Sequence, residues 1–133
     1  MRIPLIAYVA TTIVFFAMDF GWLSLALGPV YKKHLGGLLL DQPNMAVAGG
    51  FYLLYVVGVV VFAVLPAVEQ GDWTRAAWGG ALLGLVAYGT YDMTNLATTA
   101  GWSALVSVVD MAWGTFATAV AATAGFTIVR AFG

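Results

Sequence analysis

The stretch "AYGTYDMTNLATTAG", Ala87 to Gly101, places Asp92 and Asn95 inside sequence that otherwise reads as membrane-spanning. No Lys, Arg or His stands near to pair with that carboxylate. The surroundings favour a span. Of 133 residues, 62% are hydrophobic and 8% charged, whereas a soluble domain carries about a quarter charged residues. So few charges cannot coat a water-exposed surface, which implies a polytopic membrane protein. The net charge of −1 argues against a nucleic-acid partner, which needs basic patches. Cysteine is absent, which excludes disulfides and thiol chemistry. The N-terminus does not read as a signal peptide, because its apolar run is too long and lacks a small-residue cleavage site.

Apolar runs of spanning length recur four times: Ile3 to Leu27, Met45 to Val68, Ala76 to Thr98 and Ala104 to Arg130. Asn44, Thr74 and Ser103 stand where N-caps are expected. The connectors "EQGDWTR" (Glu69 to Arg75) and "AGWS" (Ala100 to Ser103) are short, so neighbouring helices should be antiparallel. The expectation is an all-α integral membrane protein, a single domain over residues 1–133. Four transmembrane helices form an up-down-up-down bundle. The first connector, "GPVYKKHLGGLLLDQPN" (Gly28 to Asn44), is too apolar for a free loop and too short to span. Between Pro29 and Leu40 it reads as a short interfacial helix, either an anchor or a lid. Arg2, Arg75 and Arg130 fall on one side of the bundle, Lys32 and Lys33 on the other. That bias favours cytoplasmic termini.

Three acids lie in the spans. From a rise of about 1.5 Å per residue, Asp19 sits roughly 12 Å below the end of helix 1, and Asp92 and Asp110 roughly 9 Å below the same surface. Tyr52 reaches a similar level on helix 2. Helical phase puts Tyr88, Asp92 and Asn95 on one face of helix 3, Ser107, Asp110 and Gly114 on one face of helix 4, and Thr12, Asp19 and Trp22 on one face of helix 1. A carboxylate facing lipid costs about 2.5–3.5 kcal/mol, so these faces should point into the bundle. No cation stands near them in the spans. Either protons on the acids or a bound cation must therefore offset their charge. Both states suit proton or cation movement; the plainer role is interhelical hydrogen bonding, at about 0.6–2 kcal/mol per bond. Trp22 and Trp113 each follow an acid by three residues, so their indole N–H groups could reach a carboxylate on a neighbouring helix. Trp73, Trp78 and Trp102 read as interfacial belt residues. Gly80 and Gly84, with Gly114, Ala117 and Ala121, supply small faces for close helix approach. His34 reads as surface, and no metal site is expected.

The segments "MDFGWL", "NMAVAGGFYLLYVVG", "FAVLPA", "GLVAYGTYDMTNLAT" and "VVDMAWG" resemble a domain-of-unknown-function family of small four-helix bacterial membrane proteins, over nearly the whole chain. The resemblance implies a bacterial inner-membrane location. It marks Asp19, Trp22, Asn44, Tyr52, Tyr91, Asp92, Thr94, Asn95, Asp110 and Trp113 as family-type positions; Tyr88 joins them from its place on the helix-3 face. No activity or cofactor comes with it. Two readings compete. One is a small transport or permeation protein in the lipid bilayer, with a carboxylate-lined pocket for a proton, cation or small solute, working as a homo-oligomer because four helices leave little room for a pore. The other is a membrane-embedded enzyme on a lipid or apolar substrate, with Asp92 and Asp110 as an acid/base pair. An accessory subunit with a structural polar layer is the third.

Overall fold

The computed structural model describes residues 2–40 and 44–133. Four helices pack antiparallel: α1 (Arg2–Leu38), α2 (Met45–Gln70), α3 (Trp73–Thr98) and α4 (Ala104–Phe132). The described residues contain no strand. The ends of α1 and α4 meet, since the Arg2 guanidinium donates to the Phe132 carbonyl at 2.9 Å. Large apolar side chains such as Phe20, Leu25, Phe51, Phe62 and Phe116 point outward, while Phe15, Val56, Val59, Val64, Ala117 and Ala121 fill the centre. An apolar exterior around a small-residue core is the arrangement expected where the solvent is lipid.

Three helices are long and apolar enough to cross a membrane: α1, α2 and α4, with mean hydropathies of 1.9, 2.5 and 1.5 over their best windows. The remaining helix, α3, has 26 residues. At about 1.5 Å per residue its length also exceeds the roughly 30 Å hydrocarbon core. Its glycines and the polar run around Asp92 dilute its hydropathy. It is also the helix packed most extensively on α4. The reason is visible at Gly80, where a Cβ would stand 2.7 Å from the Thr118 carbonyl oxygen. At Gly84 it would strike the Gly114 carbonyl. The small faces read from the sequence are thus the α3–α4 contact.

Caps set most boundaries. Asn44 accepts from the Val47 amide at 3.1 Å and Ser103 from the Val106 amide at 3.2 Å. Thr74 is not the cap of α3. Asp72 takes that place, accepting from the Thr74 amide at 3.0 Å and its hydroxyl at 2.6 Å, and the helix starts at Trp73. A carboxylate is a strong cap and suits the positive end of the helix dipole. Gly71, at φ +66°, takes the left-handed conformation that closes α2.

The first connector is helical, but it continues α1 without a break. After Ala26 the chain widens into a π turn over Leu27–Lys32, where the Lys33 amide donates to the Gly28 carbonyl five residues back. A single α turn and a 3-10 turn carry it to Leu38. Pro29, which has no N–H to give, sits in the widened turn, where the regular i→i−4 ladder is already interrupted. A second π turn, Val60–Val64, stands just ahead of Pro66 in α2. The last residues of the connector expected in the interfacial segment run to Leu40; Asp41, Gln42 and Pro43 lie outside the described residues.

Candidate functional site

At the end of the bundle away from the termini, a cavity of about 330 Å³ opens among all four helices. Helix α1 gives Asp19 and Trp22 from its straight part and Tyr31 and Leu35 from its continuation, and Leu39 follows just past its end. Helix α2 gives Phe51, Tyr52 and Tyr55; α3 gives Tyr88, Tyr91 and Asp92; Asp110 comes from α4 and Trp102 from the turn before it. Among the described residues, three carboxyl groups and seven Tyr or Trp rings therefore surround one space, and no Lys, Arg or His lines it.

Each carboxyl is held differently. Asp19, 6% exposed, accepts from the Trp113 indole at 3.3 Å, and the Tyr52 hydroxyl reaches it too. Asp110 accepts from the Tyr31 hydroxyl at 2.6 Å, and Tyr31 in turn accepts from the Trp22 indole at 2.9 Å. Asp92 is fully buried and, among the described residues, no donor meets either of its oxygens. It lies within side-chain hydrogen-bonding reach of Asp110. Two carboxyl groups become a hydrogen-bonded pair only when a proton is shared between them, so without that proton both Asp92 oxygens are left bare. The Tyr88 hydroxyl is also buried without a partner. Its ring lies against the backbone of Gly114, where any Cβ would enter the ring.

The structure gathers Asp19, Trp22, Tyr52, Tyr88, Tyr91, Asp92 and Asp110 around the cavity and leaves four other candidates outside its lining. Trp113 stands behind Asp19 as its donor. Asn95 turns back on its own helix, donating to the Tyr91 carbonyl at 2.9 Å and accepting from Thr99 at 3.0 Å. Thr94 is exposed, and Asn44 is an N-cap. In the other direction, sequence reasoning missed Tyr31, Leu35 and Leu39, although their i, i+4, i+8 spacing is the signal of one helical face. It missed Tyr55, one turn after Tyr52, whose hydroxyl shares a 2.8 Å bond with Thr118. Trp102 is half-buried, its indole donating to Ser107 at 3.1 Å and its ring edge-on to Tyr91. It is a wall of the cavity, in contrast to the belt position read for it.

No curated protein and no solved structure matches the chain. A family model does match, over residues 4–127. The chain therefore belongs to the family described as "Predicted membrane protein (DUF2177)", a helical membrane protein that sits in a lipid bilayer.

Proposed function

We propose that the protein is a small transport or permeation protein that exchanges a proton or a cationic solute at the Asp92 pocket. The observation that supports this most is the state of Asp92: fully buried, facing a second carboxyl, with both oxygens unpartnered in a cavity large enough for a small molecule. A group used only as interhelical glue would have its partner within the protein, as Asp19 has Trp113. Asp92 has a second carboxyl in reach and no donor, so a shared proton or an entering cation is what would satisfy its oxygens. A proton or a cation between Asp92 and Asp110 relieves their repulsion. Loss of one occupant therefore favours binding of another, which is the basis of exchange.

Further parts of the reading concern the setting. In this reading the membrane is a bacterial inner membrane, and the arginines at the end that holds the termini, against Lys32 and Lys33 at the other, favour cytoplasmic termini by the positive-inside rule. Two copies pairing would complete a pathway that one four-helix unit is too narrow to enclose.

Reconstitution into liposomes with an internal pH dye tests the function. Wild type should dissipate an imposed proton gradient several-fold faster than Asp92→Asn, while the variant keeps its stability to within about 1 kcal/mol, because the swap is near-isosteric. Equal rates in the two proteins would refute the exchange reading. Chemical conversion of a lipid or solute in the same vesicles would support the membrane-embedded enzyme instead.

A further inference from the structure

We propose that the occupant of this cavity is an organic monocation, a protonated amine on a compact apolar body; the inference rests on the reading of the Asp92 pocket as a solute site. Charge sets the sign. Carboxyl groups enter the lining and no basic side chain does. The carboxyl pair sets the magnitude. Among the described residues, Asp92 and Asp110 lie within reach of each other, and when they share one proton they hold one negative charge between them. One positive charge matches it.

The walls select the kind of cation. Hard metal ions take six or more oxygen ligands, or several carboxylates converging on one point. Among the described residues, no group of three or more His, Cys, Asp or Glu side chains converges in that way. Half of the lining residues are aromatic instead, Trp22, Tyr52, Tyr88, Tyr91 and Trp102 among them, and aromatic faces attract organic cations while tolerating their apolar parts. A volume of about 330 Å³ exceeds what a proton or a bare ion needs and falls within the range of small-molecule sites. The unpartnered atoms then decide between amine types. Both Asp92 oxygens and the Tyr88 hydroxyl lack partners, and all three can accept a hydrogen bond. An ammonium whose N–H groups draw these side chains toward the cavity would satisfy them; a quaternary ammonium, with no N–H, cannot.

The test uses the full chain in detergent micelles, with adamantylammonium and its neutral counterpart adamantanol as probes. Binding is read by calorimetry and by the fluorescence of Trp22 and Trp102 at the cavity wall. The ammonium should saturate at concentrations at least about ten-fold below the alcohol, a difference of roughly 1.4 kcal/mol. Asp92→Asn should abolish that preference. Tyr91→Leu, which keeps every carboxyl and alters a half-exposed side chain, should weaken the ammonium about five-fold, as for one lost cation–π contact, and the alcohol less. Asp72→Asn, at the opposite end of the bundle, should change neither. Equal affinity for the two probes overturns the inference, as does a preference that survives in Asp92→Asn. Should Asp92→Asn fail to fold, the two-probe comparison and Tyr91→Leu decide alone. If both probes bind equally and proton exchange still depends on Asp92, the monocation assignment falls and the exchange reading stands. If neither probe binds and Asp92→Asn exchanges protons like wild type, both fall.

Discussion

Trp22 and Trp113 stack face to face, with ring centroids 4.8 Å apart and planes 8° from parallel. The pair joins α1 to α4 and splits its two N–H groups between two acids. Trp113 donates directly to Asp19. Trp22 donates to Tyr31, which donates to Asp110. Two carboxyl groups on different helices are thus positioned by one aromatic stack, and the third, Asp92, is left to the cavity.

Trp113→Phe should retain most of the stack while removing the donor to Asp19. The expected loss is about 1–2 kcal/mol, a hydrogen bond broken within a membrane bundle. Unfolding in detergent, compared with Trp113→Tyr, measures it. A change near zero would show that the indole N–H does not hold Asp19.

Tyr31→Phe deletes the hydroxyl between Trp22 and Asp110 and strands both of its partners. Stability should fall by about 1–3 kcal/mol, the penalty for unpaired buried polar groups. Asp110 should also become more reactive toward a hydrophobic carbodiimide, because the roof loses its tie to the wall. Labelling rates followed by mass spectrometry, with Asp19 as the internal reference, report this. Unchanged labelling would mean that Tyr31 does not shield Asp110.

Gly84→Ala places a methyl group against the Gly114 carbonyl, and Gly114→Ala places one in the ring of Tyr88. Overpacking of this kind costs about 1–3 kcal/mol. The two variants should differ in kind. Gly84→Ala separates α3 from α4 and lowers stability, whereas Gly114→Ala also pushes Tyr88 into the cavity and weakens probe binding. Gly58→Ala, whose Cβ would meet nothing, is the control and should leave stability unchanged or raise it by up to about 1 kcal/mol, as for Gly to Ala inside a helix.

Asp72 gives a pH dependence outside the membrane. The hydroxyl and the amide of Thr74 both donate to its carboxylate and hold it below the usual carboxylate range. A group whose folded value is depressed stabilises the fold above its unfolded value, near about 3.9, and loses that contribution as pH falls through the folded value. The melting-temperature gap between wild type and Asp72→Ala should therefore be full at neutral pH and shrink in that acid window. A gap independent of pH would show that the charge of the cap plays no part.

Much of this was legible in the sequence because a helix has a fixed rise and a fixed phase. Counting residues from the predicted helix ends was enough to assign Asp19, Asp92 and Asp110 to one depth, and the small-residue spacing gave the α3–α4 contact. Asn95 shows where such counting ends. It shares a stripe with Asp92, but it lies in the last turns of α3, where its amide can reach its own helix at Tyr91 and Thr99. Local bonding of that sort competes with any tertiary role. Tyr31 fails for the opposite reason. In the connector, Val30, Tyr31 and Leu35 alternate with Lys32, Lys33 and His34, a pattern that reads as an interfacial anchor, and only Tyr31 and Leu35 of these six line the site. His34 itself is spent on the Val30 carbonyl at 2.8 Å. Thr74 and Asp72 are both capping residues by type, and only the backbone geometry of the turn decides between them.

The widened turn at Leu27–Lys32 also fixes an angle. In an uninterrupted α-helix each residue advances by about 100°, so the nine steps from Trp22 to Tyr31 would end half a turn out of phase, with the two side chains on opposite faces. A π turn takes in an extra residue for nearly the same rotation, and that lag swings Tyr31 back toward the side of Trp22. The segment thus works as a phase corrector between the membrane part of α1 and its roof. Its length matters more than the identity of most of its residues: inserting one more residue there would rotate Tyr31, Leu35 and Leu39 together by about 100° off the cavity, whereas removing one can be absorbed by closing the π turn into a regular one.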